Sequence, residues 1–335
     1  MKKILVTGGL GFIGSHTVVE LQNEGYEVVI IDNLSNSKIE VLENIAEITG
    51  KKPAFFQLDL RVKEDVKAFF EKNQIDGIIH FAAFKAVGES VQKPLEYYEN
   101  NIGSLVYILQ EMRDRKIDNF IFSSSCTVYG QADELPITEN APIKPAESPY
   151  GNTKQIGEEI IKDTCKADGL HAISLRYFNP IGAHDTAKIG ELPLGVPQNL
   201  IPYVVQTAAG IREQLSVFGD DYDTPDGTAI RDYIHVVDLA KAHIAALQRL
   251  INKENKTNFE FYNVGTGKGS SVLEIVDAFE KTTQHRLNYK IAARREGDIT
   301  AAYADTRLAN TELKWKAEKT IEQALQSAWE WQLKQ

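Results

Sequence analysis

Through residue 180 the chain alternates short apolar runs with longer amphipathic segments. The runs are KILVTG, EVVIID, AFFQLDL, GIIHFAA, NFIFSSS and HAISLRYFN. They are rich in Val, Ile and Phe and lack inside–outside alternation, as expected of strands covered by helices on both faces. Between them GSHTVVELQNEG, KIEVLENIAEITG, VKAFFEKN, PLEYYENNIGSLVYILQEMRDRK and GNTKQIGEEIIKDTCKADG read as helices. This rhythm predicts an α/β fold with a doubly wound parallel sheet. After Pro180 it breaks, and Pro180 to Thr228 is rich in Gly, Pro and Asp. A first domain is therefore expected over 1–180 and a smaller, less regular C-terminal lobe over 181–335, with segments around 230–265 returning to the first. No linker or repeat separates the two.

Composition narrows the classes. The 335 residues carry a net charge of -10, which argues against a protein that coats nucleic acid or anionic membrane. Two cysteines, Cys126 and Cys165, have no metal-ligand spacing and suit a reducing compartment. No apolar run approaches the roughly 18 residues that span a bilayer. The N-terminal MKKILVTGG is too short in apolar residues for a signal peptide. The expectation is a soluble cytoplasmic protein without metal, nucleic acid or membrane partners.

TGGLGFIGS follows the first predicted strand and opens the first helix, with glycines at Gly8, Gly11 and Gly14. Glycines there allow a tight turn and close backbone approach, and a helix N-terminus offers free N–H groups to a pyrophosphate. Asp32 ends the second strand 18 residues past Gly14. Its carboxylate can accept from ribose hydroxyls and would repel a 2′-phosphate. A Rossmann-type domain binding NAD rather than NADP follows.

SPYGNTK sets Tyr150 and Lys154 one helical turn apart, about 25 residues after a strand expected to end near Ser125. A Tyr and Lys at this spacing occur by accident on many helices. A phenol with a pKa near 10 is a poor base at neutral pH, unless an ammonium and a positive nicotinamide stabilise its phenolate. Together with the glycine loop and the serines, the pair points to proton abstraction from a hydroxyl coupled to hydride loss.

TGGLGFIGSHT, DNLSNS, HFAAFKAVGESVQKPLEYY, FSSSCTVYG, SPYGNTK, LRYFNPIGAH, NLIPYV and DGTAIRDYIHVVDLA closely resemble the UDP-glucose 4-epimerase family of extended short-chain dehydrogenase/reductases, over residues 3 to about 332. The resemblance implies that Tyr150 is the acid/base, that Lys154 depresses its pKa, and that Ser125 hydrogen-bonds the reacting hydroxyl. It implies an adenosine half of NAD held by the glycine loop with Phe12 and Ile13, then Asp32, Asn33, Asn36, Asp59 and Leu60. Phe81, Ala82, Ala83, Lys85, Asn100, Tyr177 and Phe178, together with Ser125, Tyr150 and Lys154, would line the other half. Arg231 and Arg295 fall on the diphosphate of a UDP-sugar, a task suited to the planar donor fork of Arg. Asn179, Asn199, Leu200, Phe218, Tyr233 and Asp298 would complete the substrate site, with Lys85, Ser125 and Tyr150 at the sugar. A homodimer is implied, through PLEYYENNIGSLVYILQEM and the tyrosine-bearing helix. Ala83, Phe84 and Cys126 depart from the family's usual glycine, leucine and alanine, and Cys126 reads as a small packed residue.

A nucleotide-sugar 4,6-dehydratase shares the loop and the Tyr-Lys pair, but carries Asp-Glu where this chain has Cys126 and Thr127. Neither can perform that elimination. A non-enzymatic NAD sensor would lack the tyrosine or lysine. Ala302 stands where family members restricted to plain hexoses carry a tyrosine, which suggests acceptance of UDP-GlcNAc and UDP-GalNAc. The alternative is that Tyr303 fills the same space.

Overall fold

The computed structural model describes residues 1–295 and 298–335. The six apolar runs form six parallel strands, and Phe259–Val264 adds a seventh. Across the sheet the order is 259–264, 171–177, 119–123, 77–80, 3–7, 27–32 and 54–57. The first strand, Lys3–Thr7, lies between the second and fourth, so Leu5 faces Val29 on one side and Ile78 on the other. The chain winds outward from it to 54–57, then crosses back to 77–80. This reversal opens a crevice at the carboxyl ends of 3–7 and 77–80, the place where open α/β sheets bind ligands.

Both faces are covered, which explains the missing alternation. On one face Phe12–Asn23 packs against Glu40–Thr49 and Val236–Ile251, burying Val18, Val19, Leu239 and Leu247. On the other lie Lys63–Lys72, Ser104–Arg115 and Pro149–Asp168, the last packing its Ile161 in one cluster with Phe120 and Phe122 of the sheet. Residues beyond 180 thus contribute both a helix and a strand to the sheet domain. What remains of the second lobe has its own core, where Leu200–Ala208, Val272–Thr283 and Ile321–Gln332 meet around Phe279 and Trp329. Its strands are short: Ile230–Arg231 lies between Ser270–Ser271 and Ala301–Ala302, and Tyr233–His235 pairs with Asn179–Ile181. No helix among the described residues is long and apolar enough to cross a membrane.

One predicted helix is interrupted. PLEYYENNIGSLVYILQEMRDRK forms Pro94–Tyr98 and Ser104–Arg115, joined by a π-helical turn at Glu99–Gly103. The extra residue per turn rotates Asn100 and Asn101 inward, where both are buried. Asn101 donates to Phe84 O at 3.0 Å and Thr153 Oγ1 at 3.0 Å, and accepts from Phe84 N at 2.8 Å. Asn-Asn is poor helix sequence because its amides compete with the backbone, and here that competition is used.

Candidate active site

The glycine loop is tight for steric reasons. Gly8 has φ +67°, and a Cβ there would lie 2.9 Å from Ala82 N. A Cβ on Gly14 would lie 2.2 Å from Gly8 O, so no other residue fits. Helix Phe12–Asn23 begins at Gly11 without a side-chain cap and without acid in its first turn. Its leading N–H groups therefore face the crevice open to an anion. Asp32, 8% exposed, is fixed by Leu10 N at 3.1 Å, Leu34 N at 2.9 Å and Ser37 Oγ at 2.8 Å. Asn33 reaches Asp59, which also pairs with Arg61, while Leu60 is buried and Asn36 exposed. A cradle too narrow for any side chain, next to an uncapped helix start and a fixed carboxylate, fits a dinucleotide.

Phe81, Ala82 and Ala83 continue the fourth strand beneath this loop, and Asn101 braces the following turn through Phe84. Asn100 donates to Asn101 Oδ1 at 2.9 Å. Phe178 is buried, and Tyr177 shares a 2.7 Å hydrogen bond with Ser123 Oγ. Lys85 is exposed and pairs with Glu191 of the other lobe at 3.1 Å.

The catalytic candidates sit where strand Asn119–Ser123 ends. That end comes two residues before Ser125, which instead caps a short 3-10 turn, Cys126–Tyr129, by accepting from Thr127 N. Ser148 caps helix Pro149–Asp168, with Pro149 at its first position. Tyr150 and Lys154, 7% and 4% exposed, project inward from this helix. Ser125 stands near enough to the phenol to lower its pKa. Lys154 Nζ donates to Ser123 O at 2.6 Å and lies 5.8 Å from the Tyr150 ring centroid.

Burial dominates the electrostatics of the pair. Among the protein's own groups, burial outweighs every charge and pushes the phenol above its usual value, with Tyr177 adding to the rise and Ser125 opposing it. Burial also lowers Lys154 to about 8, against the pull of Glu158. The ammonium alone therefore does not make Tyr150 a base. Below the pair, Glu158 accepts from Ser124 Oγ at 2.5 Å and pairs with Arg176, which donates to Tyr129 Oη at 2.9 Å. Sequence reading missed this network, although Glu158 follows Lys154 by one turn on the same face.

The expected substrate residues Asn179, Asn199, Leu200, Phe218, Arg231, Tyr233, Arg295 and Asp298 line one cleft of about 410 Å³. Arg295 lies 4.9 Å above the Phe218 ring, and Arg231 pairs with Asp298. The catalytic turn borders this cleft, since Cys126 and Val128 pack in one cluster with Ala302, the register partner of Arg231. Burial pushes the Cys126 thiol up to about 11, so it stays protonated. Arg294 points elsewhere, bound to Asp221 at 2.7 Å over Tyr222. Ala302 pairs with Arg231 in register and packs with Val128 and Phe178, while the Tyr303 ring lies against Gly269. The Tyr303 ring thus packs toward Gly269, away from the cluster that holds Ala302.

A doubly wound sheet with this loop, and a buried Tyr-Lys pair beside a serine, define a short-chain dehydrogenase/reductase. The chain belongs to the family described as GDP-mannose 4,6 dehydratase, whose model matches residues 5–328. It is 52% identical to a UDP-glucose 4-epimerase of Haemophilus influenzae over 98% of this chain and 97% of that protein. Among solved structures it is similar to the UDP-glucose 4-epimerase of Stenotrophomonas maltophila with bound NAD and formylated UDP-arabinopyranose, at TM-score 0.96 and 46% identity, covering 100% of this chain and 98% of the other. It is also similar to that of Bifidobacterium longum in complex with NAD+ and UDP, at TM-score 0.95 and 49% identity, covering 99% and 98%.

Proposed function

We propose that the chain interconverts UDP-galactose and UDP-glucose at C4 through a transient 4-keto sugar, using bound NAD. The observation that carries this is the buried Tyr150–Ser125–Lys154 group beside a cleft holding two arginines. The glycine cradle and Asp32 would hold the cofactor. Bound NAD would supply the hydride acceptor and a positive charge that favours the phenolate. Tyr150 takes the proton of the 4-hydroxyl while Ser125 shares its hydrogen bond, and Lys154 supplies a fixed positive charge. Arg231 and Arg295 grip the diphosphate, so the hexose can turn about its phosphate linkage and be reduced on the other face. Firm nucleotide binding with a loosely held sugar is what this turn requires.

Elimination is disfavoured despite the family's description, because Cys126 stays a thiol and Thr127 has no acid function. The test is a coupled assay for UDP-glucose formed from UDP-galactose by the NAD-loaded protein. Tight NAD binding without turnover would favour a sensor instead.

The small side chain of Ala302, in register with the cleft residue Arg231, supports acceptance of N-acetylated UDP-sugars as well. A homodimer is supported by exposed Val87, Val91 and Leu95, on the two short helices packed beside Pro149–Asp168. Sedimentation of the wild type and of Leu95→Glu tests it. The two free cysteines support a cytoplasmic location, testable by cell fractionation.

A further inference from the structure

We propose that Glu191 is an internal anion that holds Lys85 and Asn199 across the mouth of the cleft and must be displaced by the substrate, so that this carboxylate limits substrate affinity. The inference rests on the reading of the cleft as a UDP-sugar site. Glu191 lines that cleft, its side chain 12% exposed. One of its oxygens, Oε1, accepts from both Lys85 Nζ at 3.1 Å and Asn199 Nδ2 at 2.8 Å. Lys85 comes from the turn after strand Gly77–His80, and Asn199 precedes helix Leu200–Ala208. The carboxylate thus ties the cofactor side of the site to the nucleotide side.

The arrangement is built rather than incidental. The Glu191 carbonyl accepts from Trp331 Nε1 at 3.0 Å, and Gly190 packs so closely that a Cβ would lie 2.5 Å from that indole. The main chain therefore holds the carboxylate at the cleft wall. Asn199 occupies a helix N-cap position, where its side chain would ordinarily accept from a free backbone N–H. It makes no such bond, and its amide turns to Glu191 instead. Both groups that Glu191 occupies are the ones expected to meet the substrate.

A carboxylate on the wall of a pyrophosphate site opposes a second anion, and the Lys85 charge offsets that opposition while the pair lasts. Lys85 is 46% exposed, so the ion pair is weak and can open. The charge-assisted bond to Asn199 adds to the competition. Together they correspond to roughly a 3–10-fold penalty on nucleotide binding.

The experiment is titration of UDP into the NAD-loaded holoenzyme, by calorimetry and by stopped flow. Glu191→Gln keeps an acceptor for Asn199 but removes the charge. Its Kd should fall about 3–10-fold, with faster association. Glu191→Asp, too short to reach both partners, should shift in the same direction. In a Lys85→Met background the gain from Glu191→Gln should be smaller, since one of the two held groups is gone. An unchanged or raised Kd in both Glu191 variants would overturn the inference and mark the residue as a structural clasp. A wild type that binds no UDP would instead remove the reading of the cleft itself.

Discussion

Lys154 Nζ lies 5.8 Å from the Tyr150 ring centroid but donates its hydrogen bond to Ser123 O, not to the phenol. The ammonium thus stands beside the Tyr150 ring without a hydrogen bond to its hydroxyl, and Ser125 is the side chain that lowers the phenol. Replacing Tyr150 with Phe removes the proton acceptor and leaves the packing ring. Turnover should drop by about 10²–10⁴-fold, with NAD content and the unfolding transition nearly unchanged. A Phe variant as fast as wild type would sink the assignment.

The same buried ammonium sets the alkaline limit. Lys154 is lowered by burial to about 8 from 10.5, so its charge is present below pH 8 and lost above it. A kcat profile should fall as pH rises through about 8. Lys154→Arg, whose guanidinium stays charged, should be slower overall and should lose that alkaline fall. An unmoved limb in the Arg variant would assign the titration to another group.

Asn101 ties the turn at Phe84 to the catalytic helix at Thr153. Asn101→Ala leaves the part-buried Phe84 N–H and C=O without their side-chain partner, at a cost of about 1 kcal/mol each. Chemical denaturation should show a loss on that order, and kcat should fall more than affinity for UDP.

Ala302→Tyr restores a ring at the position opposite Arg231. Comparison of kcat/KM on UDP-glucose and UDP-GlcNAc should show selective loss of the acetylated sugar. Equal rejection by wild type and variant would end the idea of a widened pocket.

His80 and His16 are buried and lowered by that burial to about 3 from 6.5. The unfolded chain takes up protons below pH 6.5 that the folded one refuses until about pH 3. Stability should therefore fall steadily across that window. His80→Gln should flatten the slope by about 1.4 kcal/mol per pH unit, whatever it costs at neutral pH through the lost 2.8 Å bond to Thr7. A slope equal to wild type would place the proton uptake elsewhere.

Legibility varied with the kind of signal. The sheet was readable because strands buried on both faces must be apolar throughout, and the glycine loop because Gly14 has no room for a Cβ. The pause in PLEYYENNIGSLVYILQEMRDRK was written only as two asparagines. A π turn of one extra residue does not disturb the apolar pattern enough to be seen. Ala302 and Tyr303 could not be told apart in a line of text, since only the fold packs one beside Val128 and Phe178 and the other against Gly269.

By itself the sequence determined the order of strands and helices, the cofactor loop and the Tyr-Lys spacing, because each depends on neighbours within a turn or a strand. Only the tertiary structure decided which distant groups meet. It brought Phe259–Val264 to the sheet edge, closed Arg176 on Glu158, and set Glu191 between Lys85 and Asn199. It also set the balance at Tyr150, where burial raises the phenol more than Ser125 lowers it. Contacts and desolvation of this kind depend on segments a hundred residues apart, and no local pattern records them.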